Sequence, residues 1–123
     1  MKNLLAALVA TFALTFSTTT YAQSDAKVVT LEQTEGAFTQ KSLTLEPGTY
    51  VFKVANNGVN HDLGFVLTPK GKSDEAHHIK EAYVTELIKE GTSSTSKVVT
   101  LKKGEYEYFC PLNPTPKYTL VVK

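Results

Sequence analysis

Four side chains in this sequence could hold a soft metal ion: Cys110, His61, His77 and His78. A thiolate is a soft donor and an imidazole a borderline one, so a Cys–His pair on a rigid scaffold suits copper, Cu(I) above all. Cys110 is the chain's single cysteine and has no partner within it. Three readings follow: an intermolecular disulfide, a buried thiol packed as a small hydrophobe, or a metal ligand. Competing chemistry is thin. There is no G-x-S-x-G and no glycine-rich phosphate loop, and the acids are scattered as on a solvated face.

The elements that must position these residues read mostly as strands. Ala26–Leu31 and Ser42–Leu45 alternate with period two, and Glu46-Pro47-Gly48-Thr49 is a turn. Tyr50–Ala55 is the strongest strand and ends at Asn56-Asn57-Gly58. His61–Leu67 is read as the next, with His61 at its start between Asn60 and Asp62. Lys97–Leu101 and Glu105–Cys110 form a hairpin across Lys102-Lys103-Gly104, and Tyr118–Val122 closes the chain. Tyr106 and Tyr108 share one strand face and read as core or rim aromatics.

Between Ser73 and Gly91 the period changes. Ser73 suits an N-cap, Asp74 and Glu75 a first turn, and Gly91 a C′ position. Ala76, Ile79, Tyr83 and Leu87 recur at helical spacing, widened by Val84 and Ile88, which predicts one amphipathic helix laid over the strands. His77 falls at the edge of its apolar stripe and His78 toward its polar face. Adjacent histidines on a helix point about 100° apart and do not readily share a site. The expected architecture is all-β, a Greek-key antiparallel sandwich with one inserted amphipathic helix. At its pole His61 and Cys110 come together. Asn60 and Asp62 would brace that pole by side-chain hydrogen bonds, and the prolines at 111, 114 and 116 would stiffen the loop after the cysteine.

At the N-terminus, Lys2 precedes a mostly apolar run from Leu4 to Phe16, too short to span a bilayer. Thr20-Tyr21-Ala22 then offers small residues to a signal peptidase. The expectation is a signal peptide over residues 1–22, a domain over 23–123, and export into a bacterial periplasm. An uncleaved membrane anchor is the alternative. The 123 residues include no arginine, and loss of Lys2 with the leader leaves lysines and acids in balance. A neutral domain without arginine is a poor nucleic-acid binder. A soluble monomer without nucleic-acid or membrane partners is expected.

The segments LTLEPGTYVFKVANNGVNHDLGF and VTLKKGEYEYFCPLNPTPKYTLVV resemble the cupredoxins, the family of plastocyanin and azurin. The resemblance implies His61 and Cys110 as copper ligands and a role as a periplasmic electron carrier or copper binder. The family's second histidine shortly after the cysteine is replaced here by Asn113, and the methionine-like position falls near Lys117 or Tyr118. Met1 is the only methionine, so the usual His₂Cys site with an axial Met cannot be built. His77 or His78, a partner protein or solvent would have to complete the shell, with His77 the preferred third ligand. Asn60, Asp62 and Asn113 would surround it. This incomplete set resembles the cupredoxin-like domain of periplasmic iron-uptake proteins.

Three functions therefore compete. They are an electron carrier with an incomplete type 1 copper site, a copper storage or delivery protein, and a metal-free interaction module. The implied partner is a redox or copper-trafficking protein. Copper enzymes of this ancestry combine several domains and more histidines, so an enzyme ranks last.

Overall fold

The computed structural model describes residues 26–123; the signal peptide expected over residues 1–22 lies outside them. Nine strands follow in order: β1 Lys27–Thr34, β2 Ala37–Phe38, β3 Ser42–Leu45, β4 Gly48–Asn56, β5 Val66–Pro69, β6 Ser93–Thr95, β7 Val99–Leu101, β8 Gly104–Phe109 and β9 Tyr118–Val122. One sheet has the order β2-β1-β4-β6, with β7 also on β4, and the other runs β3-β9-β8-β5. The expected sandwich is present, but it is mixed rather than antiparallel. β1 runs parallel to β4, with Val29 opposite Phe52, and β3 runs parallel to β9, with Leu43 opposite Leu120.

Alternation decides what is buried. In β4 Tyr50, Phe52, Val54 and Asn56 face inward, and Leu31 and Gln33 do so in β1. Phe38, Phe52, Phe65 and Tyr108 form the aromatic centre, with Phe38 edge-on to Tyr108 at 5.2 Å between ring centroids.

The inserted helix is not formed. Two single 3₁₀ turns, Glu75–His77 and Lys80–Ala82, lie in an otherwise extended strap. The apolar residues that suggested a helix are used as separate plugs. Ile88 is fully buried, as is Ala82 outside that stripe, while Ala76 and Leu87 are exposed. The backbone pairs outward rather than along itself. Ile79 N–H donates to Leu67 O at 2.8 Å, Thr85 N–H to Thr95 O at 2.9 Å, and Ile88 N–H to Leu63 O at 2.8 Å. The physical reason is competition. β-branched and aromatic residues at 79, 83, 84, 85 and 88 gain little as a helix. Laid extended, the strap satisfies carbonyls on β5 at Leu67, on β6 at Thr95 and on the stretch before β5 at Leu63. Gly91 does take a positive φ of 77°, but it ends this strap, and its N–H donates to Asn56 O.

The strand expected from His61 to Leu67 is also shorter. It begins at Val66, and His61–Phe65 is an irregular stretch tied down by the Leu63–Ile88 bridge.

Candidate functional site

Cys110 follows directly on β8, where the outward pairing stops and the chain turns through three prolines. Its loop closes on itself. The N–H groups of Asn113 and Thr115 both reach Cys110 O at 3.3 Å, and Cys110 N–H donates to Thr115 Oγ1 at 3.0 Å. Proline has no N–H to lose at 111, 114 and 116 and fixes φ there, so the loop needs few other restraints. The cysteine is wholly buried, and Gly64 N–H points at its sulfur with N···Sγ 3.4 Å. The N–H gives the buried sulfur a single hydrogen-bond partner, and sulfur is the soft donor that copper favours.

Gly64 brings the His61–Phe65 stretch to the cysteine, so His61 lies three residues from the group that touches Sγ. His61 is exposed, with Nδ1 3.2 Å from Asp62 O. Asn60 and Asp62 are exposed as well. This stretch is braced by Asn56, whose Nδ2 donates to His61 O and Ile88 O while its Oδ1 accepts from Val59 N–H.

The strap's two histidines face opposite ways. His77 is on the surface, 2.8 Å from the Asp74 carboxylate, and that hydrogen bond holds Asp74 below the usual carboxylate range. His78, placed on the polar face by the helical reading, is the one that turns inward. Its Nδ1 lies 2.7 Å from Tyr83 Oη and its Nε2 3.2 Å from Ser73 O. Its ring meets Tyr83 and Phe109 edge-on. An imidazole with both nitrogens engaged has no free lone pair for a metal.

Asn113 is buried and fully committed. Its Nδ2 donates to Gln33 Oε1 at 3.0 Å and to Thr34 O at 2.8 Å, and its Oδ1 accepts from Gly36 N–H at 2.8 Å. Among the described residues no three His, Cys, Asp or Glu side chains converge as metal ligands. The donors present therefore do not fit a trigonal centre of one thiolate and two imidazoles. What remains is a buried sulfur and a surface imidazole on a neighbouring stretch.

Beside this pole the strap and the cysteine loop enclose an apolar groove of about 350 Å³, walled by Gly64, His78, Tyr83, Leu87, Pro111 and Leu112 among others. Gln33 and Asn56 were not expected at the site, and His78, weighed beside His77 as the ligand that would complete the shell, is instead engaged by Tyr83 and Ser73. Gln33 had a signal in the sequence, since it is a polar residue at an inward position of β1. The inward turn of His78 had none while the strap was read as a helix.

A family model described as a cupredoxin-like domain matches residues 4–122. No curated protein matches the chain. Among solved structures, it is similar to auracyanin A, a "blue" copper protein from the green thermophilic photosynthetic bacterium Chloroflexus aurantiacus. That match has 21% identity and a TM-score of 0.61, and covers 78% of this chain and 99% of the other. Auracyanin B matches at 22% identity and TM-score 0.64, covering 80% and 90%. An azurin (Az-iso2) from Methylomonas sp. strain J matches at 16% identity and TM-score 0.54, covering 79% and 98%. At such identities the likeness is one of fold.

Proposed function

Because this chain belongs to the cupredoxin-like domain family, we propose that it is an exported, non-catalytic copper-binding protein anchored on Cys110. The observation that carries this reading is the buried sulfur at the pole with Gly64 N–H directed at it. A family fold that keeps its cysteine in such a setting keeps the strongest soft donor available. His61, on the stretch that Gly64 anchors, is the second donor. A thiolate and one imidazole suit low-coordinate Cu(I), so holding and passing on Cu(I) is favoured over electron transfer by a blue centre. The commitment of Asn113 to three backbone and side-chain partners argues the same way. The apolar run from Leu4 to Phe16 with small residues after it supports reading residues 1–22 as a leader, and so this work as lying outside the cytoplasm.

The test is a Cu(I) titration against a chromophoric competitor under reducing conditions. The wild type is expected to take up about one equivalent, as one soft anchor allows. Cys110→Ser should abolish binding, and His61→Ala should weaken it at least about tenfold, the loss of one ligand. Unchanged Cu(I) affinity in Cys110→Ser would overturn the assignment. A second reading, a metal-free interaction module, is favoured by the apolar groove with exposed Leu87 and Leu112 on its rim. It stands if the wild type competes for no Cu(I).

A further inference from the structure

The residue at position 113 does more than fail to be a histidine. Asn113 and Gln33 are 2% and 0% exposed, and both amides sit at the centre of one continuous chain of hydrogen bonds. Gly36 N–H donates to Asn113 Oδ1, and Asn113 Nδ2 donates to Thr34 O and to Gln33 Oε1. Gln33 Nε2 then donates to Gly64 O at 2.8 Å, and Gly64 N–H donates to Cys110 Sγ. Each amide can point only one way. Gly36 offers a donor and Thr34 an acceptor, which fixes the oxygen and nitrogen of Asn113. Its nitrogen then requires the oxygen of Gln33, leaving the Gln33 nitrogen for Gly64.

Three segments remote in sequence are joined in this way: the end of β1 with the turn that follows it, the His61–Phe65 stretch, and the loop after Cys110. A metal shared between those segments would tie together the same end of the sandwich. We infer that the Gln33–Asn113 clasp is the permanent cross-link of this pole. It holds Cys110 and Gly64 in register with no ion present, and Asn113 and Gln33 are positioning residues for the sulfur. A buried network of this kind, fully satisfied, specifies one arrangement, whereas losing one member strands the others. The inference does not depend on copper binding and would hold for a metal-free module equally.

The experiment combines melting of the wild-type protein, with and without a strong chelator, and the rate at which an aromatic disulfide reagent modifies Cys110. Chelation is expected to leave the melting temperature unmoved. Asn113→Ala strands Gly36 N–H, Thr34 O and Gln33 Oε1, and should lower it by roughly 10 °C. Modification of Cys110 should accelerate at least about tenfold in Asn113→Ala and in Gln33→Ala, because local opening replaces a buried network. The double variant should react little faster than the faster single one, as expected for two members of one network. A melting temperature that falls on chelation as far as in Asn113→Ala would overturn the inference. So would a thiol rate unchanged in both single variants. Should Asn113→Ala not fold, hydrogen exchange on the chelated wild type decides. Protected Gly36 and Gly64 amides uphold the clasp, and exchange of both at open-loop rates refutes it.

Discussion

The loop after Cys110 and the strap from Lys70 to Thr92 wall the same groove, yet they are held by different forces. Buried amides and prolines fix the loop, where Asn113 meets three partners and Thr115 closes the turn. The strap is held by apolar plugs, Ala82 and Ile88, by backbone bonds to its surroundings and by the inward ring of His78. A polar network is directional and gives one arrangement, whereas apolar plugs set position but tolerate local sliding. The pole should therefore be the stiff side of the groove and the strap the yielding side.

The largest expected effect that bears on this contrast comes from Ile88→Ala. Emptying a fully buried site costs about 3 kcal/mol, read as a lower denaturation midpoint. Hydrogen exchange should accelerate at Ile79, Thr85 and Ile88 and stay slow at Gly36. Equal acceleration at Gly36 would join the two regions into one unit.

His78→Ala should cost about 1 kcal/mol, one net hydrogen bond to a half-buried ring. The exchange change should be confined to residues 75–85, sharpening the claim that this side chain pins the strap alone.

Tyr108 offers a pH test on the core beneath both regions. Burial, and then neighbouring Tyr118, push its hydroxyl up to about 12 from 10.0, so the folded state holds this proton more tightly than the unfolded chain. The corresponding stability is complete below pH 10 and is lost as pH rises through about 12. In Tyr108→Phe, which also loses the bond to Gln40 O and about 1 kcal/mol, the melting temperature should fall less steeply across that window. An unchanged slope would assign the alkaline loss to other groups.

The smallest effect is Lys70→Ala at the exposed Lys70–Glu105 pair. It should change stability by at most about 0.5 kcal/mol, since the strap's entry is tied by Lys70 N–H to Glu105 O rather than by the charges.

Strand patterning in the sequence was enough to recover the segments of β3, β4, β7, β8 and β9, because alternation over a half-buried surface is a local property. The hairpin expected between β7 and β8 is absent, since β7 pairs with β4 in one sheet and β8 with β5 and β9 in the other. The parallel pairing of β1 with β4 was not legible, since it is set by which edges remain free after the sandwich closes. The strap misled for a definite reason. Ile79, Tyr83, Val84 and Ile88 fit a helical period, but nothing local reveals that the carbonyls of Leu63, Leu67 and Thr95 need donors. At the pole, Cys110 and its proline loop could be read directly. Asn113 stood out as a missing histidine, while its bond to Gln33 spans 80 positions and leaves no trace in either neighbourhood.

The central claim, copper held by Cys110 in a low-coordinate site, is tested most directly by X-ray absorption on the Cu(I)-loaded protein. The account predicts a copper ion with one sulfur neighbour and one nitrogen neighbour, with the sulfur lost in Cys110→Ser. A first shell with two or more imidazoles, or one without sulfur, would contradict it.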